Sequence, residues 1–559
     1  MRRLIRYGVI VAAGLLAAAC SSSSPGGGTG GGGGTSAANS VLTISNENGA
    51  LWTCGFNPFN GSDTLVSVGF VYEPLVYVNP LQNGATTPML ASSWTWGPGN
   101  KSLVFNIRQG VKFTDGTPLT AADVAYTFNM LKKYPAMDLT GVWSVLSSVT
   151  QTGTYQVTMK FSTAAVPWFY YVADQTPIVP EHIWSTISNP VAYPDSHPVG
   201  TGPYEVNPCT AANITYTANP HFWQPGEPHV HTLKYPAFTS NNTANDELAN
   251  GQAQWGAQYI PGIQAFYTSK STAFHYWFPP VLNVSLVPNL TNPLLSNVKV
   301  RQAMAYAINR PQVSSIGESG YEPAANQAGI VTPTYTSWLD TSQLAQDGNY
   351  DYNPAQAKQL LAEAGYHMGS NGIMVNSAGK QLSFTVANIS DYSDWVASMQ
   401  VIVQNLKAVG IQVTPQNLTN TDYEADLFPG NFQLAYVEQE TIGPGPYYEL
   451  NDWLNSADTA PIGKTAATNY ERYSNAATEA LLNQYASTTS TATQHSIVDQ
   501  LEQVMLTQVP FIPVTEGVDW YQYDTAAFSG WPTPGDPYAQ PPVWAYPDNE
   551  QVLLHLKPR

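Results

Sequence analysis

The sequence is poor in charge, and most of the charge it has is negative. Asp, Glu, Lys and Arg make up only 11% of its 559 residues, well below the usual share of about a quarter. Its 21 basic residues face 39 acidic ones, which gives a formal net charge of −18. An acidic chain without a basic patch repels nucleic acid, so nucleic-acid binding is excluded. Hydrophobic residues (43%) and aromatic residues (12%) nevertheless suffice for folded domains with real cores.

Long hydrophobic runs are also missing, apart from one short stretch at the start. Three arginines precede an apolar stretch at 7–16, and small residues then lead to Cys20. The stretch is too short for a membrane span, so the pattern predicts a secretory signal peptide over 1–19. The ending "AAAC" is similar to a bacterial lipobox, in which the cysteine becomes lipidated. That pattern prefers Leu where Ala17 stands, so a simple secretory signal is the alternative.

Residues 20–40 contain almost no core-forming side chain. They consist mostly of Gly and Ser, a composition typical of a flexible tether. With lipid on Cys20, this segment predicts a protein anchored to the outer face of the cytoplasmic membrane, in the cell envelope or periplasmic space. Secretion would also place Cys54 and Cys209 in an oxidising compartment, where a disulfide between them is expected. Two separate buried thiols are the alternative.

The second half of the chain alternates between strand and helix patterns. Asn353 and Pro354 predict the start of a helix that ends at Gly365. Apolar residues alternate at 382–386, a helical pattern follows at 394–409, and a strand comes after it. Such a β–α–β rhythm predicts an α/β domain. In the first half, Thr120 predicts a helix N-cap, with Asp123 in the first turn.

Four segments carry a resemblance to a known family. Residues 105–129 ("FNIRQGVKFTDGTPLTAADVAYTFN"), 198–206 ("PVGTGPYEV"), 298–310 ("VKVRQAMAYAINR") and 350–366 ("YDYNPAQAKQLLAEAGY") occur in the family's order. Together they resemble the extracellular solute-binding proteins of family 5, which serve ABC importers. These motifs turn the chain and pack helices, so they identify a fold and mark no ligand contacts.

The resemblance implies an α/β fold with two lobes that close like a clam. It is the periplasmic-binding-protein fold, type II, cluster C, with an extra subdomain inserted in lobe I. Mapped on this sequence, lobe I comprises 41–78, 197–283 and 509–559, the inserted subdomain 79–196, and lobe II 284–508. The crossings between the lobes are expected near 281–289 and 509–517. Closure over a ligand would then be a hinge motion that the ligand favours.

The same resemblance implies a monomeric, non-catalytic binding protein without a cofactor. It would capture a short oligomer and deliver it to the permease and ATPase subunits of an importer. Residues 432–453 lack the Asp-Pro motif of the peptide binders and are similar to the family's cello- and xylo-oligosaccharide binders. A β-linked oligosaccharide is therefore favoured over an oligopeptide; a nickel complex and a secreted glycosidase are minor alternatives. The sequence has no HExxH, P-loop or GxSxG motif, and His229 and His231 lack a certain third ligand, so no metal site is predicted.

Aromatic rings suit the C–H faces of sugars, and carboxylates suit their hydroxyls. The candidate ligand-binding residues are Trp52, Trp255, Tyr259, Glu438, Tyr447, Trp453, Trp520, Tyr521 and Trp531. Core packing is the alternative for every one of these rings, because Trp and Tyr bury large areas. The proline-rich segment 529–547 is expected to form an ordered loop of lobe I near the cleft rim. A strand or packed segment should follow it, and replacing Trp531 should weaken ligand binding.

Overall fold

The computed structural model describes residues 41–46, 50–390, 392–438 and 443–559. The predicted signal peptide (1–19), Cys20 and the tether (20–40) lie outside the described residues. Within the described part of the chain, no helix has the length and apolar character needed to cross a membrane.

The strands and helices are numbered in chain order. The strands are β1 (Val41–Ser45), β2 (Val76–Asn79), β3 (Ala85–Pro88), β4 (Ala91–Trp96), β5 (Ser102–Ile107), β6 (Leu146–Gly153), β7 (Gln156–Phe161), β8 (Tyr204–Thr210), β9 (Asn213–Ala218), β10 (Thr232–Pro236), β11 (Trp255–Gly256), β12 (Phe274–Tyr276), β13 (Pro280–Pro288), β14 (Tyr366–Met368), β15 (Met374–Asn376), β16 (Ser383–Ile389), β17 (Gln412–Leu418), β18 (Leu434–Glu438), β19 (Ile512–Val518), β20 (Gln522–Asp524), β21 (Phe528–Ser529) and β22 (Lys557–Pro558). The helices are α1 (Thr64–Ser67), α2 (Ala121–Lys133), α3 (Glu181–Trp184), α4 (Asn241–Ala249), α5 (Ile263–Phe266), α6 (Val298–Ala307), α7 (Arg310–Ile316), α8 (Thr341–Asp347), α9 (Pro354–Glu363), α10 (Ser393–Ala408), α11 (Asn420–Leu427), α12 (Pro446–Leu454), α13 (Ala476–Ala486), α14 (Thr491–Gln508) and α15 (Asp548–His555).

Two large sheets organise the molecule. The first has seven strands in the order β12-β20-β11-β1-β10-β9-β8, and the second has five in the order β17-β16-β18-β13-β19. In the second sheet, β16 and β17 are parallel and α10 connects them. The predicted β–α–β unit is therefore confirmed. Helix α10 buries Trp395, Met399, Ile402 and Leu406, which recur every three or four residues and so lie on one helical face.

Helix caps follow the sequence pattern. The Thr120 hydroxyl accepts a hydrogen bond from Ala122 N (3.2 Å), and Asp123 Oδ2 accepts one from Thr120 N (2.8 Å), which makes a reciprocal cap. Asn353 Oδ1 likewise accepts from Gln356 N (3.0 Å) at the start of α9. Both predicted N-caps are confirmed, because they depend only on neighbouring residues.

A four-stranded antiparallel sheet, β4-β5-β7-β6, lies within residues 91–161. Its core is continuous with that of the second sheet, whereas the first sheet has a separate core. Polar contacts also join the two regions: Asn100 Nδ2 donates to Ser487 O (2.9 Å), and Tyr448 Oη donates to Pro167 O (2.9 Å). The segment predicted as an insert in lobe I thus also packs against the region of the second sheet.

The chain passes between the two large sheets at two segments that lie side by side. Trp277 N donates to Tyr521 O (3.1 Å), and Asp519 N donates to Pro279 O (2.9 Å). We call residues 277–279 and 519–521 the crossing. The expected crossings at 281–289 and 509–517 largely fall within β13 and β19 of the second sheet. The actual change of sheet lies a few residues closer to the first sheet, because the apolar runs used to place it form strands.

The proline-rich segment 529–547 is ordered, and most of its residues are buried or half-buried. It is followed by helix α15, so of the two expectations, a final strand or a packed segment, the packed segment is confirmed. Asp548 and Glu550 lie in the first turn of this helix, where acidic side chains complement the helix dipole. Both faces of α15 are buried, so its apolar residues carry no helical period that would distinguish it from a buried strand.

The predicted pairing of Cys54 with Cys209 is present as a disulfide. The two residues are 155 positions apart in the chain, so the bond closes a long loop in the unfolded state. Replacing both with serine is expected to lower the free energy of unfolding by about 2–4 kcal/mol, mainly through unfolded-state entropy. Urea denaturation of the variant measures this, with the dithiothreitol-treated wild type as a control. Equal stability of the variant and the wild type would contradict the prediction.

Candidate functional site

Four aromatic rings meet at the crossing. Phe278 and Trp520 belong to the crossing itself, while Tyr259 and Tyr321 approach from either side. The Trp520 ring centroid lies 4.8 Å from Phe278, 5.1 Å from Tyr259 and 6.0 Å from Tyr321. All three rings stand steeply to the indole, at 73–89°, an edge-to-face arrangement that aromatic pairs favour. We call these four residues the ring cluster.

The ring cluster joins elements of both sheets. Tyr259 follows β11 of the first sheet, and Tyr321 follows α7 on the side of the second. Tyr321 Oη accepts a hydrogen bond from Ile263 N (3.3 Å) at the start of α5, which ties the two sides together. All four rings are half-buried, so each retains surface for a ligand. Rings with exposed faces and fixed edges can stack against an apolar or sugar-ring surface.

Carboxyl groups adjoin the ring cluster on the side of the second sheet. Glu318, buried, accepts a hydrogen bond from Ser398 Oγ, and burial, assisted by Asp394, raises the pKa of Glu318 to about 7. Burial and the neighbouring acids also raise the pKa of Glu322 well above its usual value, although Thr515 Oγ1 donates to it (2.8 Å). Burial raises the pKa of Tyr259, and the nearby carboxyl of Asp394 raises it further. The site thus combines rings with carboxyl groups whose burial favours the neutral form.

Of the predicted residues, Tyr259 and Trp520 lie in the ring cluster. Trp255, Tyr447, Trp453, Tyr521 and Trp531 are buried, with at most 7% of their surface exposed. Trp255 Nε1 donates to Pro541 O (2.9 Å), and Trp453 stacks on Phe511 with 4.6 Å between centroids. Tyr447 stacks on Tyr485 (4.0 Å) and Tyr521 on Tyr523 (4.9 Å). These five rings fill the core, the alternative that large apolar area favours.

Trp52 and Glu438 do not belong to the ring cluster, and their surroundings differ. Trp52 is half-buried, donates from Nε1 to Tyr235 O (2.8 Å) and packs edge-on against the Tyr235 ring. Glu438 is exposed at the end of β18 and belongs to the acidic surroundings of Glu322. Glu438 therefore borders the site, whereas Trp52 serves the packing of the first sheet.

Sequence reasoning missed Phe278 and Tyr321. Phe278 lies in the run "HYWFPP", and an aromatic run just before a predicted crossing could have singled it out. Tyr321 had no such signal, because it approaches the other rings only through tertiary packing.

Trp531 was expected at the cleft rim, and the structure places it in the core instead. Its ring is 6% exposed, and its Nε1 donates to Asp524 O (3.0 Å). Trp531→Ala is therefore expected to lower the free energy of unfolding by about 3–5 kcal/mol and to leave the ligand affinity of the folded protein unchanged. Denaturation and calorimetric titration measure the two quantities. Weakened binding at unchanged stability would return Trp531 to the ligand site.

The histidine-containing stretch 221–231 holds one close pair. His229 Nε2 lies 3.4 Å from Glu227 Oε1. Across the described ranges, no group of three or more His, Cys, Asp or Glu side chains is arranged to hold a metal ion. An open depression of about 500 Å³ lies nearby, where the Arg108 guanidinium covers the Trp223 ring at 4.2 Å. None of the residues lining it belongs to the ring cluster.

Comparison with known proteins places this geometry in a family. The profile of the bacterial extracellular solute-binding proteins, family 5 Middle, matches residues 85–461. The chain belongs to this family. The periplasmic oligopeptide-binding protein of an oligopeptide ABC transporter from Thermotoga maritima has a similar structure, with a TM-score of 0.85 and 27% identity, covering 94% of this chain and 100% of that one. The mannohexaose-bound form of that protein has a TM-score of 0.77, again at 27% identity, covering 93% and 99%.

Curated relatives extend the comparison to other ligands. The glutathione-binding protein GsiB of Shigella dysenteriae is 25% identical over 82% of this chain and 86% of its own length. The oligopeptide-binding protein AppA of Bacillus subtilis is 26% identical over 66% and 70%. The family-5 protein described here is thus a two-lobed α/β solute-binding protein of an ABC importer, and its relatives are binding proteins, not enzymes. Members of the family act outside the cytoplasm and deliver small ligands to permeases.

Proposed function

We propose that this family-5 protein captures a β-linked oligosaccharide at the ring cluster and delivers it to its permease. The observation that carries the proposal is the position of Trp520. The indole lies on the crossing between the two sheets and packs against three rings that stand at 73–89° to it. All of these rings are half-buried. Sugar rings present C–H faces to such a surface, and their hydroxyls can pair with the half-buried Asp394 beside it. The mannohexaose bound to the Thermotoga maritima relative supports the same ligand class.

An oligopeptide is the second candidate, and a different observation favours it. The carboxyl groups of Glu318, Glu322 and Asp394 adjoin the ring cluster without a basic residue among the groups that shift their pKa values. A peptide ammonium would pair with an ionised member of this group. The relatives named for oligopeptide and glutathione binding support this candidate.

Isothermal titration calorimetry distinguishes the two candidates. Mannohexaose, cellohexaose and xylohexaose form one panel; short peptides and glutathione form the other. We expect heat of binding with at least one oligosaccharide, and thermal stabilisation of the protein by the same compound, because a ligand of the folded state raises the melting temperature. Binding of peptides and of no sugar would overturn the oligosaccharide proposal. Release of reducing ends on incubation would indicate a glycosidase.

We further propose that Cys20 is lipidated and that residues 20–40 tether a monomeric domain to the membrane. The arginines, the apolar stretch at 7–16 and the small residues before Cys20 support this proposal. Expression of the full chain in a bacterial host should place the protein in the membrane fraction. The Cys20→Ser variant should carry no lipid, and it should either be released from the membrane or keep its signal peptide uncleaved. Equal mass and equal fractionation of the two proteins would contradict lipidation.

A further inference from the structure

Two strands lead into the crossing, and both carry buried polar side chains. In β13 and β19, Asn283 and Glu516 are direct partners in the antiparallel register. Neither side chain is exposed. Direct partners project to the same face of a sheet, with Cβ atoms about 5 Å apart. Asn283 and Glu516 therefore face each other beneath the crossing.

Most of the polar atoms of this pair have partners. Asn283 Nδ2 donates to Gly329 O (3.0 Å) and to Glu449 Oε1 (2.9 Å), which fixes the orientation of its amide. Glu516 Oε1 accepts from Thr332 N and Thr332 Oγ1, both at 2.9 Å. Within the described part of the chain, Asn283 Oδ1 and Glu516 Oε2 remain buried without a hydrogen-bond partner.

If Glu516 is ionised, Asn283 Oδ1 and Glu516 Oε2 are both acceptors. Buried acceptors without a donor lower the free energy of unfolding. One proton on Glu516 Oε2 changes the chemistry, because a protonated carboxyl has an O–H that can donate. We infer that Glu516 is protonated in the folded protein and donates from Oε2 to Asn283 Oδ1, so that one proton links the two strands entering the crossing. This inference concerns the crossing itself and does not depend on which ligand binds.

The electrostatic surroundings of Glu516 agree with this assignment. Burial and the carboxyl of Glu449 on α12 raise the pKa of Glu516 to about 8, against the effect of the Thr332 bonds. Burial also raises the pKa of Glu449 to about 7. Tyr335 is a further titratable group near Glu449, and Asp519 also acts on Tyr335. Asp519 has a raised pKa because of burial and Asp548. Among the described residues, none of the groups that shift the pKa values of Glu516 and Glu449 is basic, so no cation there offsets an ionised Glu516.

Hydrogen exchange with mass spectrometry tests the proton link in the whole folded protein. When β13 and β19 open and expose Glu516, the pKa of its carboxyl falls from about 8 to the unfolded value near 4.5. Between these two pH values, each opening therefore releases one proton. Protection of amides in β13 and β19 should then fall about tenfold per pH unit between about pH 5 and 8, after correction for intrinsic exchange. Glu516→Gln keeps a donor at this position, so exchange through local opening of these two strands should lose this one-proton dependence.

Glu502→Gln is the matched control. Glu502 is also fully buried and has a pKa raised to about 8, but it lies on α14 and accepts from Asp340 N. This variant should keep the wild-type pH dependence in β13 and β19. The same dependence in wild type and Glu516→Gln would overturn the inference. So would an infrared difference spectrum at pH 6, wild type minus Glu516→Gln, that lacks the carbonyl band of a protonated carboxylic acid.

Discussion

Trp520→Ala is expected to reduce affinity for the bound oligosaccharide by roughly 30- to 150-fold, because a central aromatic anchor contributes about 2–3 kcal/mol. The indole contacts the other three rings of the cluster, and at 4.8–5.1 Å it is closest to Phe278 and Tyr259. Its removal takes away a stacking surface and also frees Tyr259, Phe278 and Tyr321 to move. Calorimetric titration with the oligosaccharide that binds the wild type measures the loss. Trp520→Phe keeps a ring and should lose less.

A second tryptophan provides the control for this experiment. Trp96 is half-buried at the end of β4 and packs on Phe161, with 5.7 Å between centroids. It lies on the four-stranded sheet and does not contact the ring cluster. Trp96→Ala should keep wild-type affinity, although it also removes a partly buried indole. Wild-type affinity in Trp520→Ala, with a folded protein shown by its melting curve, would remove the ring cluster from the ligand site.

Folding stability is expected to be highest in acidic solution and to fall by several kcal/mol as the pH rises from about 5 to about 8. Burial raises the pKa values of many carboxyl groups: to about 7 for Glu73, Glu449 and Asp548, and to about 8 for Glu502 and Glu516. All five side chains are buried. With only 21 basic residues in the chain, cations that could stabilise their ionised forms are few.

The direction of this effect follows from linkage. A carboxyl whose folded pKa lies above its unfolded value binds its proton more tightly in the folded state. Its contribution is complete below the unfolded pKa, near 4.5 for Glu, and is lost as the pH rises through the folded pKa of 7 to 8. A carboxyl group whose folded pKa lies about 3 above its unfolded pKa contributes roughly 4 kcal/mol to the free energy of unfolding in acidic solution. A few such groups therefore dominate the dependence of stability on pH.

Urea denaturation between pH 5 and pH 8 measures this profile. Self-repulsion of the acidic surface would also lower stability at higher pH, but salt screens it, whereas buried groups are screened far less. The decline should therefore persist at high salt. Glu502→Gln should flatten part of it, because the amide cannot ionise. Stability that rises toward pH 8, or a decline that vanishes in salt, would contradict the role of the buried carboxyls.

Local features of the fold were predictable because nearby residues set them. The caps at Thr120 and Asn353 and the β16–α10–β17 unit appear where their patterns indicate. The sequence pattern left a strand or a packed segment open where helix α15 lies, because a helix buried on both faces has no amphipathic period. The position of the crossing was displaced by a few residues for a related reason: apolar runs mark buried strands and do not reveal which sheet a strand joins.

The sequence selected candidate rings without separating those at the crossing from those in the core. Tyr259 and Trp520 lie in the ring cluster, whereas five other selected rings fill the core. Composition cannot separate these groups, since a tryptophan in a loop and one in a core have similar local sequences. Trp531 is an example: its burial depends on packing against Trp255, which is far from it in the chain.

By itself, the sequence determined the family, the α/β class, the caps and the presence of two cysteines available for pairing. These features depend on short motifs and residue types. The tertiary structure alone decided which rings keep an exposed face, that Tyr321 completes the ring cluster, and that Asn283 lies opposite Glu516. The physical reason is that each of these depends on strand register and side-chain packing between segments distant in the chain, whose contacts leave no periodic pattern in either segment.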